Sequence, residues 1–485
     1  MTPALRVAMA TPEASPLAKT GGLGDVLGTL PKALARLGVQ VSLYMPAYRC
    51  ALQGGFPIED TGVPLSVSLS GRSEVGGLLH TLLDGALPVY LVRADRYFDR
   101  EHLYGTPGQD YLDNAERFVF FCRALLEALR REPPHVLHCH DWQTALAIAF
   151  LKAQPWRYPE LADVKAVFTA HNLGYQGVFW ALDWHLLELP GEFFTPRYLE
   201  FYGKINFMKG ALVFADAITT VSPTYAEEIQ TPEYGFGLEG VLQERARDLV
   251  GILNGVDYEV WNPQRDGFLA CRYGPRSLVR KRLCKADLQR AFGLAEEAQR
   301  PVVGMVSRLA EQKGLDLVVR GLEGVVSLGV QFVLLGEGEE RYETFFREAT
   351  GRYPRRVGVS LAFDEALAHK VIAGSDILLM PSRYEPSGLN QMYALRYGAV
   401  PVARATGGLK DTVQEFDPQT GRGTGFLFGP YTTSAMLEAL GRAVSLYHRP
   451  RVWRAVMRNG MAADFSWERS ARAYLALYKG LLGQA

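Results

Sequence analysis

The chain has 485 residues, of which 48% are hydrophobic and 21% are charged. This length predicts about two to four domains, and the large apolar fraction excludes wholesale disorder. The 52 basic and 52 acidic side chains cancel. A zero balance argues against a protein built mainly to bind nucleic acid or an anionic membrane, because both require a basic excess.

The first half of the chain alternates short apolar runs with longer helical patterns, which predicts parallel α/β units. Residues 5–10 predict a first strand. Residues 25–37 have helical spacing that Gly38 ends, and residues 39–44 predict the next strand. Further strands of the same sheet are predicted at residues 135–139, 165–169 and 219–221.

A second series of the same kind follows residue 260. It contains strands predicted at residues 301–306, 331–335, 376–380 and 398–402, a helix at 314–322 and a closing helix at 467–482. We expect two doubly wound, Rossmann-like α/β domains that face a cleft. The predicted boundaries are an N-terminal domain at 1–250, a hinge at 251–262, a C-terminal domain at 263–460, and a final helical segment at 461–485 that packs back on the N-terminal domain.

The five cysteines form no C-x-x-C pair, which is typical of a reducing compartment. The N-terminus shows no signal-peptide pattern, and no apolar run approaches the roughly 18 residues of a membrane span. We therefore expect a soluble cytoplasmic protein without membrane or nucleic-acid partners.

The zero net charge conceals an asymmetry. Residues 1–250 contain 21 basic and 28 acidic side chains, a net charge of −7, and residues 251–485 contain 31 and 24, a net charge of +7. An anionic ligand would favour the C-terminal half, although an incidental surface distribution produces the same numbers.

The first motif is the segment 19–25, Lys-Thr-Gly-Gly-Leu-Gly-Asp, between a predicted strand and a predicted helix. Glycines there let the backbone approach a ligand, helix-terminal N–H groups favour anions, and Lys19 adds a cation. The spacing matches neither a P-loop nor a dinucleotide fingerprint. An ordinary glycine-rich turn is the alternative interpretation.

The second and third motifs, residues 138–142 and 171–177, follow predicted strands. Residues just beyond the carboxyl ends of parallel strands line the ligand crevice, so Asp141, Trp142 and His171 are candidate sugar contacts. The His-x-His spacing at 138–140 would need further ligands to hold a metal, and a single histidine is otherwise often structural.

The fourth motif, residues 307–314, places Arg308 and Lys313 in one loop before a helix. Two cations beside a helix start suit a diphosphate leaving group, on which charge grows as its bond breaks; solvated surface cations are the alternative. The fifth motif, 381–391, contains Glu385 for sugar hydroxyls, and the sixth, 406–412, is another glycine turn that opens a helix.

Taken together in this order, the motifs closely resemble those of the bacterial glycogen synthases and plant starch synthases, which are retaining glucosyltransferases of the GT-B architecture. The resemblance runs nearly end to end. It also includes residues 251–257, Gly-Ile-Leu-Asn-Gly-Val-Asp. It implies transfer of glucose from ADP-glucose to the non-reducing end of an α-1,4-glucan such as glycogen. It implies no cofactor and no metal.

The resemblance also implies roles for individual residues. Asp141, His171, Arg308, Lys313 and Glu385 would be catalytic: Arg308 and Lys313 neutralise the diphosphate, and the other three hold the glucose. The remaining positions would bind the donor, with Phe363 beside the adenine: Lys19, Gly21, Gly22, Asn254, Phe363, Ser387, Gly388, Leu389, Tyr393, Gly408 and Leu409.

Two departures from the wider pattern concern the fifth motif. Many relatives carry Cys and Thr where this chain has Ser387 and Asn390, and we expect little change. Tyr393 stands where other retaining GT-B enzymes have a second Glu. Alternatives to the main hypothesis are a related enzyme that uses UDP-glucose, a sucrose- or trehalose-type synthase, and an inactive glucan-binding relative.

Overall fold

The structure, a computed structural model, describes residues 4–106, 108–362 and 364–484, and these form two compact units. The first unit comprises the chain up to Gly255 together with the segment from Trp467 onward, and the second is Val256–Ser466. The change from one unit to the other at Gly255 lies within the segment 251–262 that was predicted to be a connection.

The first unit contains a nine-stranded sheet. Its spatial order is β14-β13-β9-β8-β1-β2-β5-β4-β3. The pairs β3–β4 and β4–β5 are antiparallel, and every other neighbouring pair in this sheet is parallel. Because β1 pairs with both β2 and β8, the chain order reverses at β1. The strands of this unit are β1 (Arg6–Ala10), β2 (Gln40–Pro46), β3 (Glu59–Leu69), β4 (Arg72–Leu83), β5 (Leu87–Arg93), β6 (Gly105–Thr106), β7 (Gln109–Asp110), β8 (Val136–His140), β9 (Lys165–Ala170), β10 (Val178–Trp180), β11 (Glu200–Phe201), β12 (Lys204–Asn206), β13 (Ala217–Thr220) and β14 (Leu249–Gly251).

The helices of the first unit cover this sheet. The apolar spacing of α1 buries Val26, Leu27, Leu30 and Leu34, and Gly38 follows it with φ 85°, as the sequence predicts. The helices are α1 (Gly22–Arg36), α2 (Arg49–Gln53), α3 (Asp95–Phe98), α4 (Asn114–Leu129), α5 (Trp142–Ala153), α6 (Trp184–Leu187), α7 (Phe207–Phe214), α8 (Pro223–Glu228) and α9 (Glu239–Glu244).

The C-terminal helix, Trp467–Leu481, contributes to the core of the first unit. Its helical spacing places Trp467, Ala471, Tyr474 and Tyr478 on one buried face. Both tyrosines are fully buried, so this helix is part of the unit's hydrophobic core.

The second unit contains a six-stranded parallel sheet in the order β17-β16-β15-β18-β19-β20. The four strands predicted here are confirmed to within two residues at either end, and β17 and β20 are additional. The strands are β15 (Val302–Val306), β16 (Gln331–Leu335), β17 (Val357–Ser360), β18 (Ile377–Met380), β19 (Val400–Arg404) and β20 (Phe426–Phe428).

Helices separate these strands, so apolar clusters bury the sheet, which explains the nearly continuous apolar strand sequences. The helices are α10 (Lys281–Ala291), α11 (Leu315–Ser327), α12 (Glu340–Arg352), α13 (Glu365–Gly374), α14 (Asn390–Tyr397), α15 (Gly407–Thr412), α16 (Thr433–Tyr447) and α17 (Pro450–Ala462).

Candidate active site

Two motifs of the second unit lie side by side at the point where its strand order reverses. The loop 307–314 follows β15, the loop 381–391 follows β18, and these strands pair with each other. Open parallel sheets bind ligands beside the carboxyl ends of their strands at such a reversal. The topology therefore places both motifs where a ligand site is expected.

Gly314 brings these two loops into contact. Its φ is 73°, and a Cβ atom there would lie 2.1 Å from the carbonyl oxygen of Pro381. Glycine alone fits such a close approach in the left-handed region. The N–H of Arg383 also donates to the carbonyl oxygen of Gln312 at 2.9 Å, so backbone contacts join the loops at two points.

Lys313 and Glu385, one from each loop, form an ion pair. The Lys313 Nζ atom lies 2.8 Å from Oε1 and 2.7 Å from Oε2 of Glu385, and Ser382 Oγ donates to Oε2 at 2.9 Å. Glu385 is buried and Lys313 is half-buried, whereas Arg308 in the same loop is exposed. The site therefore combines an oriented carboxylate with an exposed cation available to an anionic ligand.

The sixth motif supports the turn that carries Glu385. A Cβ atom at Gly407 would lie 2.0 Å from the carbonyl oxygen of Glu385, and one at Gly408 would lie 2.0 Å from that of Ser387. The N–H of Gly408 donates to the carbonyl oxygens of Glu385 (3.1 Å) and Pro386 (3.2 Å). The N–H of Leu409 donates to Thr406. These amides thus have internal acceptors, and their contact with a phosphate stays a prediction.

Gln391 ties the fifth motif to the sixth, a role that sequence reasoning missed. Its fully buried side chain donates from Nε2 to the carbonyl oxygens of Ser387 (2.9 Å) and Gly388 (3.0 Å) and to Thr412 Oγ1 (3.1 Å). Gly388 has φ 64°, and Leu389 precedes helix α14. Gln391 is in the quoted motif, but no sequence signal identifies Thr412 as its partner.

Tyr393 and Phe363 are two further predicted donor contacts of the second unit. Tyr393 is buried and stacks on Trp261 with ring centroids 3.9 Å apart, and the next ring beyond Trp261 is His369 at 3.8 Å. Tyr393 is therefore a packing residue in this structure, and its contact with the donor stays a prediction. Phe363 lies outside the described residues.

Asp141 follows β8 in the first unit and has an unusual backbone. Its φ of 58° and ψ of 175° lie in a region that is essentially restricted to glycine and is concentrated at functional sites. Its Oδ1 atom accepts the N–H of His171 at 2.7 Å, so the second and third motifs meet. Burial raises the pKa of this carboxyl to about 7, with Glu13 adding to the shift.

His171 is held by a second histidine. Its Nε2 atom lies 3.0 Å from Nδ1 of His140, the last residue of β8. Burial lowers the pKa of His171 to about 3, and that of His140 well below its usual value. Both rings are therefore neutral at physiological pH. His140 is within the quoted motif, but the sequence gives no indication of this pairing.

Trp142 and Gly177 give the reason for the glycine that ends the third motif. Gly177 has φ 64°, and a Cβ atom there would lie 2.4 Å from the Trp142 ring. Trp142 also contacts Phe118 and Phe179. The Trp142 ring therefore packs against the end of the His171–Gly177 loop and helps to position it.

The glycine loop that opens α1 is held by Glu13, which sequence reasoning did not identify. Its carboxylate accepts the N–H of Thr20 (2.6 Å), the Thr20 hydroxyl (2.6 Å), the N–H of Gly21 (3.3 Å) and the Tyr104 hydroxyl (2.7 Å). Gly22 is the first residue of the helix. Two loop amides, those of Thr20 and Gly21, are thus already engaged by a carboxylate.

Lys19 and Asn254, the other predicted donor contacts of the first unit, lie in different settings. Lys19 Nζ pairs with Asp25 at 2.6 Å. Asn254 is buried, and within the described parts of the chain its Oδ1 atom has no hydrogen-bond partner. Such an unpaired buried oxygen is uncommon.

Within residues 4–106, 108–362 and 364–484, no group of three or more His, Cys, Asp or Glu side chains has the arrangement of a metal site. No helix in that part of the chain is long and apolar enough to cross a membrane.

These two α/β units, with the candidate site loops at their strand ends, define a two-domain glycosyltransferase of the GT-B fold. The family described as "Starch synthase catalytic domain" matches residues 6–244, and "Glycosyl transferases group 1" matches residues 289–458. The chain belongs to the glycogen synthase and starch synthase family.

Individual relatives agree with this assignment. A glycogen synthase of Koribacter versatilis is 49% identical over 98% of both chains. The catalytic domain of starch synthase IV from Arabidopsis thaliana, solved bound to ADP and acarbose, is 34% identical with a TM-score of 0.91 over 99% of both chains. Sucrose-phosphate synthase from Thermosynechococcus elongatus, at 18% identity and TM-score 0.61 over 99% of this chain and 100% of its own, shares the fold.

Proposed function

We propose that this enzyme transfers glucose from ADP-glucose to the non-reducing end of an α-1,4-glucan such as glycogen, with retention of anomeric configuration. The observation that carries the proposal is the Lys313–Glu385 pair beside the exposed Arg308 at the strand ends of the second unit. The ADP bound to the Arabidopsis relative supports an adenine nucleotide as the donor.

Arg308 and Lys313 neutralise the diphosphate as it departs. Negative charge grows on the phosphate oxygen when the glucosidic bond lengthens, and fixed cations stabilise that charge most in the transition state. Lys313 is held in place by Glu385 before the donor arrives, so little reorganisation accompanies the reaction. These two cations supply the charge stabilisation that a divalent ion would otherwise provide, and the proposal includes no metal or cofactor.

Asp141, His171 and Glu385 hold the glucose. The carboxyl oxygens of Asp141 and Glu385 accept hydrogen bonds from sugar hydroxyls, and His171 supplies a neutral ring nitrogen and its backbone carbonyl. The strained backbone of Asp141 is consistent with a residue held in a fixed position for binding.

Transfer takes place on one face of the sugar. The bond between glucosyl C1 and the phosphate oxygen breaks, and a bond forms between C1 and the terminal 4-hydroxyl oxygen of the glucan. The proton of that hydroxyl passes to the departing phosphate oxygen of ADP. No side-chain nucleophile is required, and the protein contributes orientation and charge stabilisation. The engaged oxygens of Glu385, which bind Lys313, suit a binding role.

The test is incorporation of labelled glucose into glycogen from ADP-glucose and, in parallel, from UDP-glucose, each with and without EDTA. We expect incorporation from ADP-glucose to be the faster and unaffected by EDTA. Faster transfer from UDP-glucose would favour the related-enzyme alternative. Absence of transfer from either donor, with glucan binding retained, would favour an inactive glucan-binding protein.

A further inference from the structure

His140 has two ring nitrogens with different surroundings. It is fully buried at the end of β8; its Nδ1 atom lies 3.0 Å from Nε2 of His171. Its Nε2 atom is buried and has no hydrogen-bond partner within the described parts of the chain. This asymmetry distinguishes the two possible positions of the proton shared by the pair.

The proton between His140 Nδ1 and His171 Nε2 is bound to one of these two nitrogens. If His140 donates from Nδ1, its Nε2 is an unprotonated nitrogen, and His171 carries its own proton on Nδ1. If His171 donates from Nε2, His140 must carry its proton on Nε2, where that N–H would be buried without an acceptor. Buried N–H groups without an acceptor are rare and costly, so the first arrangement is favoured.

The remaining nitrogen of His171 is open to a ligand. His171 is half-buried. Within the described chain its side-chain hydrogen bond to His140 uses Nε2, and its Nδ1 atom is not a fully buried atom without a partner. The position of the proton therefore decides whether this face of His171 donates or accepts a hydrogen bond.

We propose that His140 is a positioning residue that donates its Nδ1 proton to His171 Nε2 and so leaves His171 with a proton on Nδ1. That N–H then donates to a hydroxyl oxygen of the transferred glucose. The sugar contact rests on the proposed function, whereas the proton position is a property of the protein alone.

A second layer fixes the His140 ring. The His138 ring lies 4.0 Å from it, centroid to centroid. Both His138 nitrogens are engaged, Nδ1 by the Tyr478 hydroxyl at 2.7 Å and Nε2 by Thr169 Oγ1 at 2.6 Å. The C-terminal helix, through Tyr478, thus supports the ring that positions His171.

The direct test is nitrogen-15 NMR of the full-length protein labelled at histidine, with the His171 signals assigned by their loss in His171→Gln. Protonated and unprotonated ring nitrogens differ strongly in chemical shift. A proton on Nδ1 of His171 supports the proposal, and a proton on Nε2 overturns it. This result does not depend on which donor sugar the enzyme uses, so it separates the proposal from the proposed function.

Kinetics provide the second test. His140→Asn retains an N–H donor near the Nδ1 position, whereas His140→Leu removes it; His135→Leu, directly before the same strand, is the matched control. We expect His140→Leu to lower kcat about tenfold, the worth of one hydrogen bond, with an unchanged KM for glycogen. His140→Asn should recover most of the loss. Equal losses in both variants, or wild-type kcat in His140→Leu, would overturn the proposal.

Discussion

The Nζ atom of Lys313 lies within 2.8 Å of both carboxylate oxygens of Glu385. The two residues are 72 positions apart in the chain and follow adjacent strands. The pair fixes the carboxylate that is proposed to bind glucose and the cation that is proposed to meet the diphosphate. One interaction therefore links the two halves of the proposed chemistry.

Breaking this pair should affect both stability and activity. Lys313→Met leaves the buried Glu385 carboxylate without its cation, and we expect a loss of roughly 3 kcal/mol in the free energy of unfolding. Removal of a charge-stabilising group should also lower kcat/KM about 100- to 1,000-fold. Urea denaturation and steady-state kinetics measure the two effects.

The control is Arg472→Met, which breaks an exposed pair with Glu468 on the C-terminal helix. It should cost about 0.5 kcal/mol or less and leave kcat unchanged. The double variant Lys313→Met with Glu385→Gln should cost less than the sum of the single variants. An additive result would show that the pair is not energetically coupled.

Gly407 should not tolerate a side chain. Gly407→Ala places a methyl group 2.0 Å from the carbonyl oxygen of Glu385 at a φ of 44°. Left-handed strain alone costs about 1–2 kcal/mol, and the clash adds to it. Gly429→Ala, which meets nothing within 4 Å, is the matched control. Equal melting temperatures for the two variants would contradict the tight packing of the sixth motif on the Glu385 turn.

The left-handed backbone of Asp141 should make a glycine substitution there less destabilising than an alanine substitution. Asp141→Gly relieves the strain of φ 58°, whereas Asp141→Ala retains it. Strain of this kind costs about 1–3 kcal/mol and glycine loses about 0.5–1 kcal/mol through chain entropy. We therefore expect Asp141→Gly to be the more stable by about 1 kcal/mol, with both variants inactive.

Urea denaturation of both variants measures this difference. At the exposed position Asp163, which has no positive φ, the order should reverse, with Ala the more stable. If Ala is the more stable residue at both positions, Asp141 stores no strain.

The buried histidines should make the enzyme acid-sensitive. Burial lowers the pKa of His138 and His171 to about 3 and that of His140 well below its usual value, so unfolding below pH 6.5 takes up three protons. The Asp141 pKa is raised to about 7, so unfolding releases one proton between pH 4 and pH 7. For these four groups the net uptake is two protons near pH 5, so they lower the free energy of unfolding by about 3 kcal/mol for each unit by which the pH falls.

Denaturation at several pH values between 4.5 and 7 measures this slope. His138→Gln should reduce this slope by the contribution of about one proton, because glutamine does not titrate. A slope that is unchanged in this variant would indicate that His138 is already protonated in the folded protein.

Tyr393 tests whether a predicted donor contact is structural. Tyr393→Phe retains the ring stacked on Trp261, and we expect a KM for the donor within about twofold of wild type. Tyr393→Ala removes the ring, and we expect a loss of roughly 3–5 kcal/mol in stability. Steady-state kinetics and urea denaturation measure the two quantities. A large rise in KM for Tyr393→Phe would assign the hydroxyl to donor binding.

The parallel strands and several helix limits could be predicted because local patterns determine them. The strand predicted at residues 331–335 has the same limits as β16. Helix α1 ends before Gly38, as its pattern indicates. The antiparallel extension β3–β5 was not predicted, since its pairing depends on turns at Ser70 and Gly71 and at Asp84 and Gly85 rather than on an α/β alternation.

The site was predictable residue by residue, but its contacts were not. Strand-end position selected Lys313 and Glu385, whereas their pairing depends on the spatial order of β15 and β18. The contacts of Glu13 with Thr20 and Tyr104, of His140 with His171, and of Gln391 with Thr412 join residues 7 to 91 positions apart. No spacing rule in a single sequence connects such residues.

The most direct measurement is proton NMR of the enzyme with ADP-glucose and a short α-1,4-glucan, which follows donor and product anomeric signals together. We predict that the donor signal falls as an α-1,4-linked signal appears at the same rate, without free glucose. Release of free glucose, a β-linked product, or an ADP-glucose signal that persists unchanged would contradict the account.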